Sequence, residues 1–320
     1  MVKSTSVLAL VVAAGAACAA GAAASCGPLP ARAPGPGGVR LPDQVLVRSK
    51  GRIVAVPLED YTLGSILSEI MPTGESPATA ARVFEVQAVI ARSYAAAELG
   101  RHRSEGFDLC DSTHCQLYDP ARIRTSPFAD IARAAVRTTA GRVLTYRGRV
   151  AETFFHADCG GSTAAADDVW GGEAIPYLVA APDLIAPARH RAWTSTISLV
   201  DLTRAFDADP QTTVGRRLDG IDVRTRDASG RAKEIALRGD QPRVLTGDEF
   251  RAVVNRALGD RTLYSSKFTL LRDGSRYTFT GTGLGHGVGL CQLGAAARAR
   301  RGDSLEAILG EYFPGTVLVK

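Results

Sequence analysis

The sequence is poor in lysine, in aromatic residues and in long apolar segments. Lysine supplies only five of the 38 basic residues, and no dense Lys/Arg run occurs, so a nucleic-acid partner is not expected. Charged residues make up 22% and hydrophobic residues 45% of the chain, a balance that excludes intrinsic disorder. Beyond the N-terminal region, no segment has the pattern of a transmembrane helix.

The N-terminal residues 1–26 have the pattern of a secretory signal peptide. Lys3 precedes an apolar run of mainly Ala and Gly, and small residues lead up to Cys26. Cleavage before Cys26 would permit lipid attachment there, and both outcomes stay open. We therefore expect an exported protein, in the periplasm or at the cell surface, with or without a lipid anchor. Residues 27–42 contain many Pro and Gly and predict a linker, and residues 43–320 are predicted to form one domain.

Local patterns predict a mixture of strands and helices. Alternation on both sides of Lys50 and Gly51 predicts a hairpin, and another is predicted around Arg147 and Gly148. The segment 58–71 has helical spacing, and a further helix is predicted from Pro77 to about residue 99 with Ser76 as its N-cap.

The second half of the chain completes the predicted fold. Residues 190–280 mix short strands with two helical pieces and contain no concentrated chemistry, and a capped helix and a strand end the chain. Because strands and helices do not alternate regularly, the predicted fold class is α+β.

Four stretches of sequence occur in an order that points to a known family. They are YTLGSILSEIMP, VQAVIARSYA, CDSTHCQLY with HADCGGST, and GLGHGVGLCQLGA. In order and wording they resemble the SpoIID/LytB family, the peptidoglycan-acting domain of stage II sporulation protein D and amidase-enhancer proteins. The resemblance extends from about Leu58 to the C-terminus, and the last stretch is the most specific.

The resemblance implies a peptidoglycan lytic transglycosylase. Such an enzyme cleaves MurNAc–GlcNAc bonds, here expected in glycan strands already stripped of peptides, and leaves 1,6-anhydro products. The family's catalytic glutamate aligns with Glu69 when counted from Tyr61 without a gap. The chain reads EIMP where the family has EMP, so Glu75 is the nearest competitor, and Glu85 stands where the family often has Lys.

The chemistry of glycan cleavage explains how a single glutamate could suffice. A glycosidic oxygen leaves poorly unless it is protonated, so the acid must keep its proton near neutral pH. Apolar neighbours such as Ile66 and Leu67 would raise the pKa of Glu69 by burial. A lytic transglycosylase needs no second carboxylate, because the C6 hydroxyl of muramic acid attacks the anomeric carbon. The position of Glu69 in the predicted helix, taken without the resemblance, would instead favour an exposed glutamate at a helix end.

The glycine-rich stretch around His286 is expected to line a glycan-binding cleft. By resemblance, His286 orients the sugar or assists proton transfer, whereas a structural histidine in a glycine-rich hairpin is the alternative. Further substrate contacts are predicted at Gln87, Arg92, His114, Gln116, Tyr118, Gly160, Gly161, Thr163 and Gln292. For Arg92 an intramolecular salt bridge is the alternative. Gln87 lies on an apolar helix face and is expected to hold another group in place.

The cysteines leave a disulfide and a metal site as competing predictions. Outside the signal-like segment the cysteines are Cys110, Cys115, Cys159 and Cys291. An even number in an exported protein suggests disulfides. The spacing of Cys110, His114 and Cys115 can equally supply zinc ligands, with His102 as an extra one, and some family members carry zinc in the cleft. Cys159 and Cys291 are predicted to be close, as a disulfide or as part of a metal site.

No cofactor other than zinc is expected, and three functions stay open. The predicted partners are peptidoglycan glycan strands and an N-acetylmuramoyl-L-alanine amidase. The main alternative to the enzyme is a non-catalytic amidase enhancer that binds peptidoglycan. A thiol hydrolase using Cys159 or Cys291 is a third reading, because a nucleophilic cysteine would need a nearby base.

Overall fold

The computed structural model describes residues 39–184 and 190–320. The predicted signal peptide, Cys26 and most of the predicted linker lie outside the described residues. Within those two ranges, no helix combines the length and the apolar character needed to cross a bilayer.

The described chain begins with the predicted hairpin. Strands β1 (Gln44–Ser49) and β2 (Arg52–Pro57) pair in antiparallel register. Lys50 and Gly51 connect them with positive φ at both residues, as a type I′ turn requires. Strand β3 (Leu109–Cys110) adds in parallel to β1, and this pairing places Cys110 at the edge of the hairpin sheet.

Two helices follow and pack against each other. Helix α1 (Leu58–Glu69) ends at Glu69 because Ile70 is already extended. Helix α2 (Pro77–Ala97) begins with the predicted cap, in which the Ser76 side chain accepts a hydrogen bond from the Thr79 N–H. Ile66 of α1 and Phe84 of α2 share one buried cluster with residues from the next helices of the chain, so the position of Glu69 is fixed by packing.

The remaining elements complete an α+β fold. Between β3 and residue 184 the elements are α3 (Arg122–Thr125), α4 (Ala129–Thr138), β4 (Val143–Tyr146), β5 (Arg149–Val150), β6 (Phe155–His156) and α5 (Ala166–Trp170). A long segment then contains β7 (Ala192–Ser198), α6 (Leu199–Asp207), β8 (Leu218–Arg226), β9 (Ala232–Gly239), β10 (Arg243–Thr246), α7 (Gly247–Leu258), β11 (Phe268–Asp273) and β12 (Arg276–Thr282). The chain ends with β13 (Leu290–Cys291), α8 (Gln292–Arg301), α9 (Leu305–Tyr312) and β14 (Val317–Val319). These mixed sheets and helices confirm the predicted fold class.

The hydrophobic residues form more than one core. The segment 192–282 packs around its own apolar cluster, in which Phe206, Phe250 and Phe279 are fully buried. The larger cluster belongs to the rest of the chain and joins α2 to the C-terminal elements. The parallel pair β6–β13 connects the chain before this segment to the chain after it, with Phe155 opposite Leu290 and His156 opposite Cys291.

A glycine in α1 permits the closest approach between that helix and a neighbouring loop. A Cβ atom added at Gly64 would lie 2.6 Å from Cε2 of Tyr118. We therefore expect Gly64→Ala to lower the free energy of unfolding by about 1–3 kcal/mol in urea titrations, because the Tyr118 ring must move. Gly310→Ala is the matched control: no described atom lies within 4 Å of its added Cβ, and the helix should gain up to about 1 kcal/mol. Equal effects of the two substitutions would contradict the packing argument.

Candidate functional site

Glu69 is a half-buried acid at the end of α1. The backbone N–H of Leu117 donates a hydrogen bond of 2.7 Å to its Oε1 atom. Burial raises the pKa of Glu69 from 4.5 to about 7, and the Leu117 hydrogen bond only partly opposes this effect. Near neutral pH the carboxyl group therefore exists in both protonation states, which suits a group that first gives and then takes a proton.

The two competing glutamates are engaged in ion pairs. Glu75 accepts hydrogen bonds from Arg300, with distances down to 2.6 Å, and Glu85 accepts one of 2.8 Å from Arg82. Among the described residues, Glu69 pairs with no cation and hydrogen-bonds to no second carboxylate. Of the three glutamates, only Glu69 has the surroundings that a protonated catalytic acid needs.

The loop of the CDSTHCQLY stretch holds Glu69 in place. Ser65 of α1 donates to the Leu117 carbonyl at 2.9 Å, so Leu117 contacts α1 through its carbonyl as well as through the N–H that binds Glu69. Tyr118 stacks on Tyr61, with ring centroids 5.2 Å apart. These contacts fix the loop to α1 at Leu117 itself and at the residue that follows it.

Gln116 and Tyr118 are buried in this arrangement, which corrects their prediction as substrate contacts. The Gln116 Oε1 atom lies 3.3 Å from the Ser65 hydroxyl, and Tyr118 packs over Gly64. Both side chains contact α1 and so help to position the loop, and the Gln116 Nε2 atom is buried with no hydrogen-bond partner among the described residues. In a sequence motif, a residue that anchors its own loop cannot be distinguished by its type from a residue that binds substrate.

The residues predicted to bind metal come together beside this loop. One donor atom each from His102, Cys110, His114 and Cys115 lies within 4.8 Å of the others, and the two cysteines are free thiols. The sulfur atoms of Cys110 and Cys115 are 3.2 Å apart, and His102 Nε2 is 3.4 Å from Cys115 Sγ. Glu105 contacts His102 Nδ1 at 2.6 Å and so directs Nε2 towards the sulfur. Two thiols and two imidazoles in one cluster fit a tetrahedral structural zinc site.

His286 lies among aromatic rings. Its ring centroid is 5.1 Å from that of Trp170 and 5.6 Å from that of His156. Its Nδ1 atom accepts a hydrogen bond of 3.1 Å from the Val288 N–H, so the proton of the neutral ring is on Nε2. Burial lowers the pKa of His286 to about 4, although the negative charge of Asp248 acts in the opposite direction. At neutral pH this imidazole is therefore uncharged and cannot act as a general acid.

Glu69 and His286 are connected only indirectly. Within the described residues they form no hydrogen bond or ion pair with each other. Helix α2 packs against α1, which carries Glu69, and α2 also contacts the end of the His286 stretch. There, Gln292 Nε2, at the start of α8, lies 3.4 Å from Gln87 Oε1 of α2. Gln87 is buried, as expected for a polar residue that holds another group in place, so it bridges two helices.

The two glycine-rich stretches face each other as predicted. Asp158 and Leu284 exchange backbone hydrogen bonds of 2.8 and 3.1 Å, and the Ala164 N–H donates to Gly287 at 2.8 Å. Gly160 has φ of 66° and lies against Thr282, where a Cβ atom would come within 2.9 Å of the hydroxyl oxygen.

Gly161 lies beside Gly160 in this wall and also has a positive φ, of 100°. Thr163 is buried, and its hydroxyl donates to the Val179 carbonyl at 3.1 Å. Thr163 therefore supports the wall from behind, which corrects its prediction as a sugar contact.

Arg92 also departs from its predicted role as a substrate contact. It is fully buried, and its guanidinium donates to both carboxylate oxygens of Glu59, at 2.9 and 2.6 Å. A further bond of 3.0 Å reaches the Arg142 carbonyl. The structure thus shows the intramolecular alternative, in which Arg92 ties α2 to the start of α1.

The segment 192–282 contributes side chains that the sequence did not reveal. Arg231 donates to the Cys159 carbonyl at 2.8 Å, and Lys267 donates to the Gly160 carbonyl at 2.9 Å. Asp248 accepts a hydrogen bond of 3.2 Å from Trp170 Nε1 beside His286. The expectation that this part contains no concentrated chemistry was wrong, because its charged residues act on a loop distant in sequence and lack a local motif.

The fold and the site together define an α+β protein in which a partly buried carboxyl group of raised pKa contacts the loop that carries a Cys2His2 cluster. Comparison with known proteins agrees: residues 48–146 match SpoIID, described as Stage II sporulation protein, and residues 187–289 match Domain of unknown function (DUF8618). The chain is 30% identical to Stage II sporulation protein D of Bacillus subtilis, covering 82% of this chain and 74% of that protein. The chain therefore belongs to the SpoIID/LytB family.

Two further relatives are longer than the region they share with this chain. An uncharacterized protein of Brachyspira hyodysenteriae is 30% identical over 82% of this chain, which spans 66% of that protein. The Amidase enhancer of Bacillus subtilis is 28% identical over 79% of this chain, which spans 40% of that protein. The similarity thus concerns one part of each relative.

The raised pKa of Glu69 makes stability depend on pH. A carboxyl group with a folded pKa of about 7 and an ordinary value of 4.5 contributes stability below pH 4.5 and loses it as the pH rises to 7. Relative to wild type, Glu69→Gln should therefore gain about 1–3 kcal/mol of unfolding free energy across this window. Urea unfolding of both proteins at several pH values measures the difference. A difference that stays constant between pH 4.5 and 7 would show that burial does not perturb this acid.

Proposed function

We propose that this protein is an exported peptidoglycan lytic transglycosylase in which Glu69 is the general acid and base. Membership of the SpoIID family supports a cell-wall-related role. The observation that carries the finer proposal is the Glu69 carboxyl group, which has a pKa of about 7 and a single directional hydrogen bond from Leu117.

The proposed reaction uses one carboxyl group twice. Protonated Glu69 gives its proton to the oxygen of the MurNAc–GlcNAc bond, and the bond between that oxygen and the anomeric carbon breaks. The C6 hydroxyl oxygen of the muramic residue then bonds to the anomeric carbon and passes its proton to the Glu69 carboxylate. The product is a 1,6-anhydro ring, no water is consumed, and the acid returns to its starting state.

The proposed reaction needs only one carboxyl group, unlike ordinary hydrolysis. Most glycoside hydrolases use two carboxyl groups, separated by roughly 5–10 Å, to protonate the leaving group and to activate water or attack the sugar. In the described residues, Glu69 hydrogen-bonds to the Leu117 backbone and to no other acid, and no neighbouring charge shifts its pKa. An intramolecular nucleophile supplied by the substrate removes the need for a second carboxylate.

His286 and the facing glycine-rich stretches are proposed to hold the sugar. The His286 ring is neutral near pH 7, and its hydrogen bonds to the backbone at Val288 and Phe155 fix the ring beside the proposed sugar position. Gln292 is partly exposed next to the same stretch, and Gly160 and Gly161 bring backbone close to it from the other side. His286 thus orients substrate in this proposal, and proton transfer is left to Glu69.

Zinc is proposed for the cluster of His102, Cys110, His114 and Cys115. A hydrogen bond from Cys115 lowers the pKa of Cys110 to about 2, so one thiolate is already favoured before a metal binds. With four protein ligands the ion would have a structural role and would cross-link the loop. Because Leu117 of that loop contacts Glu69, the cluster would support the geometry of the acid.

The setting of the reaction follows from the proposed substrate. Peptidoglycan lies outside the cytoplasmic membrane, so the protein would act in the periplasm or at the cell surface, with or without a lipid on Cys26. A relative named Amidase enhancer supports a link with an N-acetylmuramoyl-L-alanine amidase, which would supply glycan strands without peptides. The same relative supports the second candidate, a non-catalytic enhancer that binds peptidoglycan, and the EIMP sequence after Glu69 favours it.

Digestion of peptide-free glycan strands tests the proposed function. Wild type should release fragments with anhydro-muramic ends, detected by mass spectrometry, and Glu69→Gln should lower the rate by about 10²–10⁴-fold because the proton donor is lost. Glu75→Gln is the matched control and should retain activity, since Glu75 pairs with Arg300.

Two results would contradict this assignment. Undiminished cleavage by a folded Glu69→Gln variant would remove Glu69 from the mechanism. Tight glycan binding by wild type without products at any pH would select the non-catalytic enhancer.

A further inference from the structure

A second cluster of metal-binding side chains lies apart from the Cys110 cluster. One donor atom each from His156, Cys159 and Cys291 lies within 4.8 Å of the others. All three residues are buried, and the two cysteines are free thiols. The chemistry proposed for Glu69 uses none of them, so this cluster calls for an explanation of its own.

The backbone brings these residues together from two distant parts of the chain. His156 and Cys291 are directly opposite each other in the parallel pair β6–β13. Cys159 follows His156 with two residues between them, a short spacing of the kind found in zinc-binding loops. His156 and Cys159 from one loop and Cys291 from the neighbouring strand thus place their donor atoms close together.

His156 offers a nitrogen atom in the state that metals require. Its Nδ1 atom lies 3.1 Å from the Val288 carbonyl and must donate to it, so the neutral ring has its lone pair on Nε2. Burial lowers the pKa of His156, which keeps the ring neutral. Nε2 is buried and has no hydrogen-bond partner among the described residues. Such an orphaned atom costs about 1–3 kcal/mol, which a bound ion would offset.

Backbone N–H groups face both sulfur atoms, although the hydrogen bond with Cys159 and burial raise the pKa of Cys291. The Cys159 N–H and the Gly294 N–H donate to Cys291 Sγ at 3.3 and 3.4 Å, and the Gly161 N–H donates to Cys159 Sγ at 3.3 Å. Hydrogen-bond donors stabilise a thiolate, which is the form that binds metal. The buried guanidinium of Arg231 lies beside the same loop, bonded to the Cys159 carbonyl, and its positive charge adds to this effect.

A carboxylate is placed near the fourth coordination position. Asp183 Oδ2 lies 3.8 Å from Cys159 Sγ and accepts a hydrogen bond of 2.7 Å from the Tyr312 hydroxyl. The other oxygen, Oδ1, is buried and without a partner in the described part of the chain. A narrow crevice lined by Thr163, Asp183 and Tyr312 leads to this carboxylate from the surface.

We propose that His156, Cys159 and Cys291 form a second site for a zinc-like divalent cation, with Asp183 or water in the fourth position. Two thiolates balance the charge of the cation, and the neutral imidazole completes three protein ligands. The ion would cross-link β6 to β13 and fix the stretch that carries His286. The ring centroids of His286 and His156 are 5.6 Å apart. The proposal does not depend on glycan cleavage.

Metal content measured on two matched variants tests this site. The full-length exported chain is purified under reducing conditions, stripped of metal and titrated with Zn²⁺ and then, separately, with Co²⁺. Wild type should bind two equivalents of Zn²⁺. Cys291→Ser should lose one equivalent through this site, and Cys115→Ser should lose the other through the Cys110 cluster. The Co²⁺ form of Cys115→Ser should retain a thiolate-to-cobalt absorption band, and a double variant that combines Cys115→Ser with Cys291→Ser should lack it.

Circular dichroism and a second substitution guard against misfolding. His156→Gln keeps both thiols and should also lose one equivalent of Zn²⁺, with the secondary structure unchanged. An unchanged metal content in folded Cys291→Ser would overturn the proposal. So would a Cys159–Cys291 disulfide in protein isolated without reductant, found by peptide mass mapping. Neither result bears on the Glu69 assay, so failure of this site and failure of the proposed function are separable.

Discussion

The hydrogen bond from the Leu117 N–H to Glu69 is the constraint on which the proposed chemistry depends. It orients one carboxylate oxygen while burial holds the pKa of the acid near 7. A bond to a backbone amide on a free loop would be imprecise, since a loop can move. Here Ser65 attaches the loop to α1 at Leu117, Tyr118 packs on α1 one residue later, and the Cys110 cluster lies at the loop's beginning. The Glu69 carboxyl group is therefore positioned by a loop whose own position is fixed by its contacts with α1.

The glycine-rich half of the site is built on a different principle. Backbone groups from the Asp158 and Leu284 regions bond directly to each other, and small residues permit this close approach. Two side chains from the segment 192–282, Arg231 and Lys267, then donate hydrogen bonds to the carbonyl groups of this turn. A segment with its own hydrophobic core thus completes the wall beside His286, and hydrogen bonds from its charged side chains join it to the rest of the chain.

The corrected residues share one physical reason. Arg92 and Thr163 are polar residues in the family's motifs, and each is buried with partners inside the protein. A buried polar group needs a hydrogen bond, and the partner can be a ligand or another part of the chain. The sequence shows that such a residue must be satisfied, but it does not show by what. Only the distances in the folded chain separate a residue that positions a loop from one that faces a substrate.

The sequence alone determined the local elements and the composition of the site. Apolar spacing predicted α1 and α2, turn residues predicted both hairpins, and the order of four motifs predicted the family. Local rules suffice there, because helix caps, turns and amphipathic faces depend on neighbouring residues. The tertiary structure alone decided which distant groups meet: Leu117 with Glu69, Gln87 with Gln292, and His156 with two cysteines. Those contacts arise from packing between elements far apart in the chain, and no local pattern records them.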